Sequence, residues 1–359
     1  MKKIVFGALF ALAILAIAIA LRGVGNDGTS SAAARSGSAA TNGASKKTST
    51  EAVLSIAPSV RPALASVVKN GVTPLMREYY DSKNDQAIYK RLMAKETRTA
   101  EEEYVLGAIL DRCADVTDRK ENEKRSRNWK LGGDDARARF VASLSPRAPN
   151  RDQRIKAFDA INFDECEGMD AVKTTRRNIL DLFEQSAAKG DPKAQIAAIR
   201  LSLDEQRRDA KGEADYTVTT KMTDAQIATW KGVFGSGDPR AIVDAVELLS
   251  FNSSMHLRGP DEAPIDFFAL WNASRLVACD LGSNCGPDNR NLLQACAMQG
   301  QCDAADMRDY ILFYGSTPSM SQLAIQYQAR LTDVIQRGDW SYFTVVPGPA
   351  PGLAAFQRP

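Results

Sequence analysis

The sequence is poor in the residues from which most recognisable active sites are built. It has one histidine, His256, and six cysteines in 359 residues, and aromatic side chains make up only 7%. A single imidazole excludes zinc sites built on several histidines. No glycine-rich phosphate loop, HExxH helix, GxSxG elbow or EF-hand loop occurs, so no cofactor and no metal is assigned. The CxxC spacing of thiol–disulfide oxidoreductases is missing as well. An excess of positive charge is also lacking. Residues 1–50 hold six of the 46 basic groups and one of the 44 acidic ones, so the other 309 residues carry 40 and 43, a net charge of −3. A nucleic-acid binder needs a strongly basic face, and no nucleic-acid partner is expected.

What is there begins with an apolar run. After Lys2 and Lys3, Ile4 to Leu21 gives eighteen residues without a charge, a proline or a polar side chain. That is near the lower end of the ~17–25 residues that cross a bilayer as a helix, and longer than the ~7–15 of a secretory core. Ala18 and Ala20 offer a cleavage site, but no polar segment separates them from the apolar core. Residues 1–21 therefore read as a retained anchor in the inner membrane, with a cleaved signal peptide as the alternative. In both readings the lysines stay cytoplasmic and the rest of the chain reaches the periplasm. Membrane contact is expected through this segment only.

Residues 22–50, rich in Gly, Ser, Ala and Thr, read as a disordered linker, since they offer too little apolar surface to offset the entropy of ordering. Residues 51–346 read as an all-helical exported domain, with a sub-boundary near 117–150, and 347–359 as an extended tail with four prolines.

An even number of cysteines in an exported chain implies disulfides. Ala278-Cys279-x5-Cys285 is nearly repeated seventeen residues later as Ala295-Cys296-x5-Cys302. Each pair would join a helix end to the loop just beyond it. The expected pairs are therefore Cys279–Cys285 and Cys296–Cys302, leaving Cys113–Cys166 as the long-range bridge. Zinc is the rival for these thiols, but its sites favour ~2–4 residues between neighbouring cysteines.

The body reads as helix after helix, and the fold class is all-α. Thr99-x-x-Glu102 is a capping box, and Leu106, Ile109, Leu110 and Cys113 follow at helical spacing, placing Cys113 on the buried face. The next long helices are expected over 151–163 and 170–189, with Cys166 between them. Alternating β-branched runs occur only around 216–220 and 343–346. Residues 117–139, charged and of mixed sign, read as an exposed connection.

One internal repeat stands out. Phe183…Gly190-Asp191-Pro192-Lys193-Ala194…Ala198…Leu201 aligns at an offset of 47 with Trp230…Gly237-Asp238-Pro239-Arg240-Ala241…Ala245…Leu248. Glycine closes one helix in the left-handed conformation, aspartate caps the next, and proline takes that helix's first position. Each unit is thus two antiparallel helices joined by a very short turn, and Leu331…Gly338-Asp339-Trp340 is a fainter third copy.

The stretch Ala187-Ala188-x-Gly190-Asp191-x-x-Ala194 resembles the inter-helix signature of Sel1-like repeats, relatives of the tetratricopeptide family. The resemblance implies helical hairpins stacked like a solenoid and a protein-interaction role. The Cys279–Cys285 block, ending in Gly286-Pro287, is similar to one in uncharacterised exported bacterial proteins and carries no activity with it.

Candidate chemistry meets a plainer explanation at each place. His256, beside Ser253 and Ser254 in an expected loop, lacks the third residue and the oxyanion hole of a triad. Glu101, Glu102 and Glu103 sit where a helix dipole favours acids. Phe267, Phe268 and Trp271, like Tyr79-Tyr80 and the Phe183/Trp230 pair, read as core. Asn252-Ser253-Ser254 and Asn272-Ala273-Ser274 match the glycosylation sequon by chance in a bacterial chain. No catalytic residue is assigned. The expected function is a non-catalytic periplasmic scaffold that binds another cell-envelope protein, with a carboxylate-dependent hydrolase of cell-wall glycan as the alternative.

Overall fold

Side-chain caps written into the sequence punctuate the chain. The computed structural model describes residues 72–82, 84–114, 134–161, 165–208, 215, 218, 220–249 and 255–348. The anchor run, the linker, residues 117–133 and the tail from 349 onward lie outside them, as does most of the 216–220 run. Among the described residues no helix is long and apolar enough to cross a membrane.

Helix α1 (Pro74–Asp81) starts on Thr73, whose hydroxyl accepts from the Met76 N–H, and α2 (Asp85–Met93) starts on Asn84 in the same way. Helix α3 (Ala100–Arg112) opens with the expected Thr99–Glu102 capping box and buries Leu106, Ile109 and Leu110 along one side. Helix α4 (Asp134–Ser143) is a correction, because the 117–139 connection turns helical from 134. An Arg137–Asp159 ion pair joins α4 to α5 (Arg151–Ala160), which ends three residues earlier than expected.

The segment expected to run from 170 splits in two. A short 3₁₀ turn, Met169–Ala171, precedes α6 (Arg176–Ala188), where Thr175 and Asn178 cap one another. Thr175 competes for the backbone N–H groups that a continuous helix would need, and the chain restarts there.

Both Gly-Asp-Pro turns form as expected. Gly190 (φ 90°) and Gly237 (φ 66°) take the left-handed conformation that side chains resist. Asp191 accepts from the N–H groups of Lys193 and Ala194 to start α7 (Pro192–Gln206). Asp238 accepts from those of Arg240 and Ala241 to start α9 (Pro239–Glu247). Helix α8 (Asp224–Phe234) completes the second hairpin, and the Trp230 indole donates to the Ala245 carbonyl across it. The third copy is partial: Gly338 ends a long helix, but no helix follows it among the described residues.

Helix α10 (Phe267–Asp280) packs along α9 and along α13 (Pro318–Arg337). Between α10 and α13, α11 (Arg290–Gln294) and α12 (Met307–Asp309) each run on into a π-helical turn, Ala295–Gln299 and Tyr310–Tyr314.

A two-stranded antiparallel sheet is the one departure from the all-α expectation among the described residues. In it β1 (Met255–Arg258) pairs with β2 (Thr344–Pro347). The second strand takes in residues 344–346 of the expected 343–346 run, while the first has no alternating signal because three of its four residues are buried. The first residue of the expected tail, Pro347, thus belongs to the sheet.

Two large clusters hold most of the buried apolar side chains. One gathers α1, α2, α3 and α6; the other gathers α8, α9, β1, α10 and α13. Helix α7 serves both, giving Ala194 and Leu201 to the first and Ile196, Ile199 and Leu203 to the second. Phe183 and Trp230 are fully buried, as expected of core.

The cysteines pair as expected. Cys113–Cys166, Cys279–Cys285 and Cys296–Cys302 have sulfurs 2.01, 1.90 and 2.07 Å apart, and no described cysteine is free.

Candidate functional site

Packing α1, α3, α7, α9 and α10 around one another leaves a cleft of 1330 Å³, lined also by the Cys279–Cys285 loop. That exceeds the ~300–1,000 Å³ of a typical small-ligand pocket and suits an extended chain.

Tyrosines form one wall. Tyr79 and Tyr104 are buried in the core, and Tyr80, whose ring centre lies 5.5 Å from that of Tyr79, is 37% exposed to water. Burial nevertheless pushes the Tyr80 hydroxyl far above its ordinary range. A ring both wetted and surrounded by protein belongs to the inside of a cleft rather than to an outer surface. Cations sit over this wall: the Arg112 guanidinium lies 4.2 Å from the Tyr79 ring centre, and the Lys193 ammonium 5.2 Å from that of Tyr104.

Ion pairs form the rest. Arg240 donates to Asp244 one turn along α9 at 2.9 Å, Arg200 reaches Asp111 at 2.5 Å, and Arg112 reaches Asp85 at 2.6 Å. Lys193 bridges Asp191 and Asp238 at 3.1 and 3.2 Å. Burial raises the pKa of Asp244 despite the attraction of Arg240, and burial likewise raises that of Glu247, three residues on. Arg275, on α10, is pushed below the ordinary arginine range by burial.

Of the residues singled out in the sequence, Tyr79, Tyr80, Glu101 and Phe183 line the cleft, and Tyr80 departs from the core expectation; the others lie elsewhere or are committed to structure. His256 is in β1 rather than a loop. Its Nδ1 lies 3.0 Å from the Gly348 carbonyl and its Nε2 receives Arg258 Nε at 3.4 Å, so both ring nitrogens are occupied in holding the sheet. Glu101 accepts from the Thr73 hydroxyl, Glu102 closes the capping box, and Glu103 pairs with Lys189 at 2.7 Å. Asn272 is buried and donates to Ser316, while Asn252 lies outside the described residues. Phe268 departs from the core expectation, being 64% exposed, whereas Phe267 and Trp271 pack against the larger cluster.

Asp85, Cys113 and Cys166 are the one group among the described residues whose ligand atoms could gather around a metal. The two sulfurs are bonded to each other, which removes the thiolates that such a site needs.

Sequence reasoning missed Tyr80, Arg240, Asp244, Glu247 and Arg275 as site residues. The one local signal was Arg240-x3-Asp244, an ion pair at helical spacing close to the apolar face of α9. The others come together only through packing.

Comparison with known families finds no matching family model, and comparison with curated proteins and with solved structures finds no match.

Proposed function

We propose that this protein is a non-catalytic helical scaffold of the periplasm, held at the inner membrane by residues 4–21, which binds an extended segment of another cell-envelope protein in the tyrosine-lined cleft. The observation that carries the reading is the pairing of charge there. Asp111, Asp191, Asp238 and Asp244 each have a lysine or arginine within 3.2 Å. A wall of matched charges and aromatic rings offers hydrogen bonds and stacking to a polypeptide, and it commits those acids to ion pairs within the wall. The side-by-side Gly-Asp-Pro hairpins support kinship with Sel1-like repeats and a solenoid-like stack.

The test is affinity capture from crosslinked envelopes. Wild-type protein should recover one specific envelope protein, and Tyr80→Ala should recover at least about tenfold less, the scale of an aromatic anchor worth ~1.4 kcal/mol or more. Recovery of no specific partner sinks the reading.

The raised pKa of Glu247 favours a second reading, a carboxylate-dependent hydrolase of cell-wall glycan, since a general acid needs such a shift. Against it, the acid nearest in sequence, Asp244, stands on the same helix and is paired with Arg240. Zymography on purified cell wall separates the two: lysis by wild type that is lost in Glu247→Gln establishes the enzyme.

A further inference from the structure

The cleft's arginines are matched to carboxylates with one exception. Arg112, Arg200, Arg240 and Arg290 have carboxylate partners at 2.6, 2.5, 2.9 and 2.7 Å. The described residues place no carboxylate within salt-bridge distance of Arg275. Its guanidinium instead lies 4.5 Å from the Trp271 ring centre, and Nη2 points at the Met307 sulfur at 3.8 Å, a weak acceptor. Its guanidinium stands over an indole, and Ser283 and Asn291 line the same cleft. A half-buried guanidinium with no ion-pair partner leaves its donors short of acceptors, and a bound anion supplies what is missing.

We propose that Arg275 is the anion hook of the cleft and takes a single carboxylate of the bound segment on its planar fork. The proposal rests on the reading of the cleft as a polypeptide-binding groove. A carboxylate fits better than a phosphate because Glu247 and Asp288 line the same cleft, and a second negative charge would meet their field. The carboxylate comes from a peptide rather than from a free small acid, because the cleft that Arg275 lines is also lined by Tyr79, Tyr80 and Tyr104, and its 1330 Å³ is more than a small acid fills.

The experiment follows the Trp271 indole N–H by NMR, assigned from its loss in Trp271→Phe, in the full chain with its disulfides intact. The probes are N-acetyl-trialanine with a free carboxylate, the same peptide as its amide, and acetate. The free-carboxylate peptide should shift the resonance saturably, the amide and acetate should bind at least about tenfold more weakly, and Arg275→Gln should abolish the response. That variant should melt no lower than wild type, because it removes a half-buried cation that has no ion-pair partner. Arg275→Lys, which keeps the charge without the fork, should weaken binding without abolishing it.

An equal response to the amide, or an undiminished response in Arg275→Gln, overturns the hook. Acetate binding as tightly as the peptide assigns the site to free small acids and overturns the peptide source. Failure of the hook alone leaves partner capture through Tyr80 intact, so the two readings fail separately.

Discussion

Lys193 of the first Gly-Asp-Pro turn reaches Asp238 of the second, 3.2 Å from ammonium to carboxylate. The same ammonium lies 3.1 Å from Asp191, the cap of its own helix, so one buried lysine ties the two repeat units at equivalent points. Burial alone would draw its pKa down, but the two aspartates together hold it above the ordinary lysine value. Lys193→Met leaves both carboxylates buried with only their backbone N–H donors. Breaking such a pair costs about 3 kcal/mol or more. Urea unfolding should show that loss, and a loss under about 1 kcal/mol would show that the repeats do not depend on the bridge.

The three disulfides should contribute unequally. Cys113–Cys166 closes 53 residues and each C-terminal bridge closes six. In the chain-entropy model these are worth about 4 and about 2 kcal/mol. Cys113→Ala with Cys166→Ala should lower stability by roughly 2 kcal/mol more than the matched Cys296/Cys302 pair, on the same model. Peptide mapping without reductant should recover the three crosslinked pairs. Any free thiol among the six would contradict the pairing.

Two helical glycines should respond in opposite directions to alanine. A Cβ on Gly107 would sit 2.7 Å from Phe183 Cε1, where α3 and α6 make their closest approach. Gly232 has nothing within 4 Å of that position. Both sites gain helix propensity, about 0.5–1 kcal/mol. Only Gly107→Ala also meets a packed ring, and overpacking at roughly 1–3 kcal/mol should outweigh the gain. Thermal unfolding should therefore rise for Gly232→Ala and fall for Gly107→Ala, and a rise in both would mean that the α3–α6 contact is loose.

Glu247 sets a pH dependence. Burial, and then the neighbouring Asp244, raise its pKa. Over the range above the ordinary carboxylate value the folded chain therefore holds a proton that the unfolded chain has released. Stability from this group is greatest in acid and falls as pH rises through the folded value. Glu247→Gln removes that fall, so its advantage over wild type should be larger at pH 7 than at pH 4. Urea titrations at both values check this, and a difference independent of pH would contradict it.

Local chemistry carried much of the fold into the sequence. The Thr99–Glu102 box, both Gly-Asp-Pro turns and the six-residue cysteine spacing each act over one helical turn, and each forms as read. The elements that escaped are those whose cause is distant. Met255–Arg258 becomes a strand only because Thr344–Pro347 arrives beside it, and the π-helical turns at 295–299 and 310–314 leave no period in the side chains. Helix α4 was hidden by charge, since Arg137 finds its partner, Asp159, on the next helix. The cleft was least legible of all. Tyr80, Asp111, Arg200, Asp244 and Arg275 stand on five different helices, and no spacing within the chain announces that they meet.

The proposed binding of a cell-envelope partner in the tyrosine-lined cleft predicts a contact at Tyr80. Site-specific photo-crosslinking in living cells tests it most directly, with the photoreactive residue placed at Tyr80 in the cleft or at Met93, which is 48% exposed and does not line it. Position 80 should yield one discrete adduct to an envelope protein, absent from position 93. No adduct from position 80, or the same adduct from both positions, would contradict the account.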